Sequence, residues 1–412
     1  MPRLSRKLVL GAALLGAAAA AAHADELVFN TDYSDPGPKA AIAAAVKGFE
    51  AAYPNIHVKV NTFDHEGYKS AIFNFLSADP PDLATWYAAN RMAPFVKDGL
   101  FTDVTPLWNK EGWNQSFASS ASSMTINGRK WGLPLTYYQW GIYYRKDLFH
   151  KLGLPAPKTW KELLSDCAAL KAHGITPFAI GTKAPWPAAG WFDYLDLRVN
   201  GYAFHMQLMA GKVAYTDPRV EKVFDYWDQL TKAGYFIPNS ASYAWQEAVP
   251  LLVKGKAGMY LMGNFAVDVM KSAGLKESQI GFVPFPVINP KVPDAEEAPT
   301  DIVFIPSHAK HKADAEKFLA YVARPDVQSK INAILGQLPT NKNAKLPDDP
   351  FLKAGFKLLS NAKDLSQFYD RDAPAQMAKA GLDGFQHYLM NPSDRQEILK
   401  HLDEVEKQVY SQ

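Results

Sequence analysis

The stretch "GKAGMYLMGNF", Gly255 to Phe265, puts three glycines and two methionines into an apolar run that ends on an amide beside a ring. A short, continuous apolar run bounded by glycine reads as a buried strand. Its small residues let it pass through a crowded core. Gly263 is expected to let the backbone approach a ligand, with Asn264 and Phe265 presenting a hydrogen-bonding fork and a ring at the strand's mouth.

On either side of this run the chain alternates helix patterns with short apolar strands, the pattern of an α/β architecture. The clearest helix follows Pro155 and Pro157. Thr159 and Glu162 make a capping box, and Trp160, Leu163, Leu164 and Cys167 recur at helical spacing until Gly174 closes the element. Ile175 to Ile180 then reads as a strand leading into Gly181. Cys167 falls on the buried face and is expected to be a small core hydrophobe. A second helix is expected from about Ala309 to Val322, ended by Arg324-Pro325 because proline disfavours helix in the residue before it.

Arg3, Arg6 and Lys7 precede an apolar and small-residue run from Leu8 to Ala22, and Ala22-His23-Ala24 supplies a small-x-small cleavage site. That is the pattern of a secretory signal peptide over residues 1–24, cleaved after Ala24. The run is too short to span a membrane, which takes roughly 20 apolar residues. Removing it takes the charge count from 44 basic and 42 acidic residues to 41 and 42, a net of −1. Nothing in this balance favours nucleic acid as a partner, which calls for a basic excess, and none is expected. The single cysteine, Cys167, rules out an intrachain disulfide, and none stands at the cleavage point to carry a lipid. A free periplasmic protein is expected. The remaining 388 residues exceed what one core usually organises, so two lobes are expected.

A search for catalytic motifs returns little. No two glycines are separated by a single residue, which removes the dinucleotide fingerprint, and the phosphate-cradling Gly-Lys-Ser/Thr loop and Gly-x-Ser-x-Gly elbow are also absent. His65-Glu66-Gly67 does not extend into a zinc-binding His-Glu-x-x-His, and His308 with His311 lies on a lysine-rich helix start. No catalytic residue, cofactor or metal is expected.

Aromatic residues placed beside hydrogen-bonding groups recur just beyond strand-like runs. They include Tyr87 with Asn90 and Arg91, Tyr137 with Gln139 and Trp140, Trp186, Trp191, Trp245, Asn264-Phe265, and Phe368-Tyr369-Asp370-Arg371. In α/β sheets ligands bind outside the carboxyl ends of strands, so these positions are expected to converge on one cleft. Carbohydrate uses both kinds of group: a pyranose offers an apolar face to a ring and hydroxyls to planar forks. Net hydrogen bonds of about 0.5–1.5 kcal/mol each need few repetitions to approach the roughly 8 kcal/mol of micromolar binding.

Three stretches resemble the extracellular solute-binding proteins of ATP-driven carbohydrate importers, the family of the maltodextrin-binding protein. They are Pro81-Asp82 with Trp86 to Arg91 and "FVKDGLFTDVTPL", then "GKAGMYLMGNF", then "FIPSHAKHKADAEKFLAYV". The resemblance implies two lobes, each a mostly parallel sheet flanked by helices, joined by a hinge crossed more than once. Residues 25–135 and 300–345 would form lobe 1 and residues 136–299 and 346–412 lobe 2, with crossings near Leu135-Thr136, Pro299-Thr300 and Ala344-Lys345. Asn90 and Arg91 fall where the family's first-lobe polar ligands lie, Phe265 at its second-lobe stacking aromatic, and Phe368-Tyr369 near a late aromatic. With Asp64, Tyr87, Tyr137, Gln139, Trp140, Trp186, Trp191, Trp245, Asn264, Asp370 and Arg371, these make the candidate sugar-binding set. The implied partners are a mono- or short oligosaccharide and the ABC permease subunits of the inner membrane, served by a monomer.

Two rivals come from other classes. A secreted glycoside hydrolase needs two carboxylates about 5–5.5 or 6.5–9.5 Å apart, for which Asp193 and Glu247 are the candidates. A non-catalytic partner-binding surface protein would show an exposed apolar patch.

Overall fold

The computed structural model describes residues 25–411 as two lobes, each built around its own apolar core. The expected signal peptide, residues 1–24, lies outside the described residues. The first lobe opens with β1 (Asp25–Thr31), β2 (Ile56–Thr62) and β3 (Leu83–Tyr87), linked by helices Pro36–Ala52 and His65–Ala78. A small hairpin, β4 (Thr125–Ile126) with β5 (Arg129–Lys130), precedes β6 (Leu133–Tyr137). Only Tyr138 and Gln139 separate β6 from β7 (Trp140–Arg145), the first strand of the second lobe. There β8 (Thr176–Phe178), β9 (Ala257–Gly263) and β10 (Ile280–Val283) complete a sheet of order β10-β7-β9-β8. From β11 (Ala295–Glu297) the chain returns to the first sheet as β12 (Thr300–Phe304), between β3 and β6, and β13 (Asp364–Ser366) later pairs with β11.

The two-lobed α/β fold is the expected one, with a refinement to the strand directions. In the first sheet β1 runs parallel to β2 and β3, while β12 runs antiparallel to both its neighbours. In the second only β8 and β9 pair in parallel; β7 is antiparallel to β9 and β10. Connectivity explains this. A strand reached by crossing from the other lobe enters its sheet at the cleft, where the resident strands end, so Trp140 at the start of β7 pairs with Gly263 at the end of β9.

Local chemistry fixes the elements much as the sequence implies. Thr159 accepts from the Glu162 N–H while the Glu162 carboxylate accepts from Thr159, closing the capping box of helix Trp160–Ala172. Trp160, Leu163 and Cys167 are buried on its inner face. The second expected helix runs Lys312–Val322, starting later than the pattern suggests because His311 caps it and donates its N–H to Asp82 at 2.8 Å. β9 is buried along its whole length. Gly258 leaves room there for the Leu170 side chain, which a Cβ would approach to 2.7 Å.

The hinge has a small apolar cluster of its own: Ala298, Leu338, Leu352 and Leu359, with Tyr137 and Leu346 against it. Tyr137 exchanges both backbone hydrogen bonds with Leu338. β6 therefore stays in the first sheet as far as Tyr137, and the chain crosses at Tyr138–Gln139, just after Leu135-Thr136. Gln139 is buried and donates from Nε2 to Asn264 Oδ1 at 2.9 Å and to the Phe351 carbonyl at 3.0 Å. Its amide fills the space over Gly355, where a Cβ would lie 2.1 Å from Gln139 Cδ.

Candidate functional site

A cleft of about 250 Å³ lies between the lobes, and the two sides of it differ in chemistry. The second lobe supplies rings. Phe265, just after β9, meets Trp245 at 5.1 Å between centroids, Tyr138 at 5.4 Å, Trp186 at 6.2 Å and Trp140 at 6.3 Å, all edge-to-face. Phe368, beyond β13, packs on Trp140 at 4.9 Å. Each ring sits next to a strand end or on the first residue of a helix, as Trp186 and Trp245 do. Gly181 lets the Trp245 turn come close: a Cβ there would be 2.3 Å from the Ala244 carbonyl oxygen. Tyr260 fixes the same turn by donating to the Trp245 carbonyl at 3.0 Å.

The first lobe supplies polar groups. Asp32 follows β1, and its carboxylate accepts from Thr85 Oγ1 at 2.8 Å and Tyr87 Oη at 3.0 Å, with His65 Nδ1 at 3.0 Å. Burial on its own would raise this carboxyl, but the His65, Thr85 and Tyr87 contacts outweigh it and hold Asp32 below its ordinary value. Asp64 caps helix His65–Ala78 by accepting from the Gly67 N–H at 2.9 Å. Asp301, on β12, pairs with Arg371 at 2.9 Å. The Arg371 guanidinium lies 4.5 Å from the Tyr87 ring centroid and donates to the Tyr138 hydroxyl at 3.0 Å. The lobes meet at the cleft mouth, where Gln246 Nε2 reaches Asp35 Oδ2 at 3.5 Å.

Of the residues expected from sequence, Asp64, Tyr87, Trp140, Trp186, Trp245, Phe265, Phe368, Asp370 and Arg371 line this cleft. The other seven are placed elsewhere. Asn90, on a turn beyond β3, donates to the Asp372 carbonyl at 2.5 Å and so braces the segment that carries Arg371. Arg91 turns back over the Trp86 ring at 5.7 Å and does not line the cleft, where Lys69 and Arg371 stand instead. Trp191 is core, edge-on to Phe178 at 4.7 Å and Phe236 at 5.1 Å. Tyr369 is buried with its hydroxyl 2.5 Å from that of Tyr215. Tyr137 and Gln139 belong to the hinge. Asn264 does too, accepting from Gln139 and from Tyr143 Oη at 2.8 Å and donating to the Gly336 carbonyl at 2.6 Å. Gly263 makes room for the Phe265 ring, 2.4 Å from where a Cβ would stand, and is not among the residues lining the cleft.

Sequence reasoning missed Asp32, Tyr33, His65, Asp301 and Gln337. The strand-end rule that found the aromatics would have found Asp32-Tyr33 beyond β1. Gln337 follows the helix Pro325–Leu335 and has no comparable signal. The hydrolase pair is also displaced. Asp193 is fully buried behind the site, where it accepts from the Tyr369 N–H, and Glu247 is exposed and caps its own helix by accepting from the Ala244 N–H.

Residues 33–329 match the model of the bacterial extracellular solute-binding protein family, and the chain belongs to that family. An uncharacterised ABC transporter extracellular-binding protein of Pyrococcus horikoshii is 30% identical over 337 residues, 79% of this chain and 74% of that protein. The multiple sugar-binding protein of Streptococcus mutans is 26% identical over 77% of each. Among solved structures, the bacterial solute receptor AcbH, described as exclusively preferring β-D-galactopyranose, superposes with a TM-score of 0.88 at 30% identity. That match covers 94% of this chain and 100% of AcbH. RafE in complex with raffinose superposes at 0.78 with 20% identity over 93% and 99%, a likeness of fold alone.

Proposed function

We propose that this protein is the periplasmic sugar-binding component of an ABC importer, closing on a sugar between its lobes and delivering it to the membrane permease. The carrying observation is the division of the cleft into a cluster of six rings on one side and hydrogen-bonding carboxylates on the other. Rings cover the apolar face of a pyranose, and carboxylates accept from its hydroxyls. Because most of the rings come from one lobe and most of the carboxylates from the other, the closed form offers the fullest set of contacts, so the sugar shifts the population towards closure. No helix of the described residues is long and apolar enough to cross a membrane. We read residues 1–24 as a signal cleaved after Ala24, releasing an unlipidated monomer that docks on its permease in the closed form.

Asp193 and Glu247 do not face one another across the cleft, which favours binding over hydrolysis. Thermal-shift screening against a panel of mono- and oligosaccharides tests the reading, since ligand at a hundredfold excess over Kd stabilises by about 2.7 kcal/mol. Prolonged incubation of a hit with no product formed separates a receptor from a hydrolase.

A further inference from the structure

Six carboxylates line the cleft: Asp32, Asp35, Asp64, Glu66, Asp301 and Asp370. The cations beside them are already committed. Lys69 Nζ lies 2.9 Å from Glu66, and Arg371 Nη1 lies 2.9 Å from Asp301 and donates to the Thr300 carbonyl at 3.0 Å. His65 faces Asp32. A ligand bearing a carboxylate or phosphate would meet surplus negative charge here and, among the described lining residues, no free cation.

Open hydrogen-bonding capacity points the same way. Asp370 is 7% exposed, lines the cleft, and receives no hydrogen bond from any described residue. Gln337 is 5% exposed and also lines it. Its Oε1 is buried without a donor, and its Nε2 has no acceptor among the described residues. Trp140 Nε1 is likewise buried without an acceptor. Buried polar groups are rarely left unpaired, and a site that keeps them so is completed by the ligand. Asp370 stands on the second-lobe segment after β13, and Gln337 follows a helix whose Val327, Ile331 and Leu335 pack in the first-lobe core.

Resting on the sugar-binding reading above, we propose that the cleft selects sugars without an acidic group, and that Asp370 and Gln337 read hydroxyls of one ligand from opposite lobes. A carboxylate at Asp370 accepts from hydroxyl donors and repels an anion, so one residue both attracts the right ligand and rejects the wrong one. Gln337 supplies a donor and an acceptor to a neighbouring hydroxyl. Bridging the two would couple recognition to closure.

The test is isothermal titration of the whole chain with matched pairs: D-galactose with D-galacturonate, D-glucose with D-glucuronate, and deoxy analogues of whichever hexose binds. At least one neutral sugar is expected to bind, with its uronate at least a hundredfold weaker. D370N and Q337L should each lower affinity for that hexose at least tenfold while the unfolding midpoint without ligand stays put. D370N should also narrow the gap between hexose and uronate. The D370N loss should vanish against the one deoxy analogue that lacks the hydroxyl Asp370 reads, which a merely structural role would not produce. A uronate bound as tightly as its hexose, or wild-type affinity in both variants, overturns the proposal with sugar binding left intact. Failure of every sugar to bind the wild type overturns the sugar-binding reading and this one with it.

Discussion

Arg371 and Asp301 stand 2.9 Å apart across the cleft, one on the segment after β13 and the other on β12, both nearly buried. Burial raises the Asp301 carboxyl and Arg371 pulls it back down, so each charge depends on its partner. Asp301→Asn should therefore remove the direct ion-pair partner of a buried guanidinium, leaving it only the more distant charge of Asp370. Equilibrium unfolding without ligand should show a loss of about 3–5 kcal/mol, the usual cost of removing one half of a buried pair. Arg371→Lys loses the planar fork that holds Thr300, Tyr138 and Asp301 together and should weaken sugar binding. Arg91→Lys, by contrast, should leave affinity unchanged, because Arg91 packs on Trp86 outside the cleft.

Two tryptophans separate recognition from packing. Trp245 is half-buried in the cleft, and Trp191 is 1% exposed in the core. Trp245→Ala, like Phe265→Ala, should weaken sugar binding by about 1–3 kcal/mol while the unliganded midpoint moves little. Trp191→Ala should cost about 3–5 kcal/mol of stability. Titration and chemical unfolding of the three variants decide between these roles.

Behind the cleft, Asp193, Asp196, Asp372, Glu296 and Glu297 crowd around His205 and Arg198, all at or below 5% exposure. Burial pushes the Glu297 carboxyl well up, and the neighbouring Asp193 carboxyl pushes it further. Burial would lower His205, but its bond to Asp196 at 3.0 Å and the charge of Asp193 outweigh this and raise it to about 9. A raised histidine contributes stability that is complete below its unfolded value of about 6.5 and is lost as pH rises through its folded value. A raised carboxyl adds a loss in the same direction, because the folded state holds a proton that the unfolded state has released. The unfolding midpoint should therefore fall between about pH 6.5 and pH 9 through His205, and Glu297→Gln should remove a separate loss that sets in as pH rises above the ordinary carboxylate value. A midpoint that holds steady or rises between neutrality and pH 9 would contradict this.

Much of the architecture is legible in the sequence because local rules and tertiary structure agree. The Thr159–Glu162 capping box, the apolar spacing of helix Trp160–Ala172 and the run from Ala257 to Gly263 each carry one signal with no competitor. Strand direction is less legible, since it depends on which lobe the chain has just left. The rings of the site could be found at strand ends, yet the same rule also selected Trp191 and Tyr369, because an aromatic facing a core and one facing a cleft follow the same pattern. Asn264 shows the limit most plainly. An amide at a strand mouth suits a ligand, but here it ties β9 to Gln139, Tyr143 and the Gly336 carbonyl. Long-range partners such as these leave no trace in local sequence.

Isothermal titration of neutral pyranoses into the purified protein, with small-angle scattering of the same samples, bears most directly on the claim that a sugar is held between the two lobes. Saturable one-to-one binding is predicted, with a Kd in the micromolar range or tighter, accompanied by ligand-induced compaction, and both shift to higher sugar concentration in the Trp245→Ala and Phe265→Ala variants. A panel in which no sugar binds, or binding that survives both substitutions unchanged, would contradict the account.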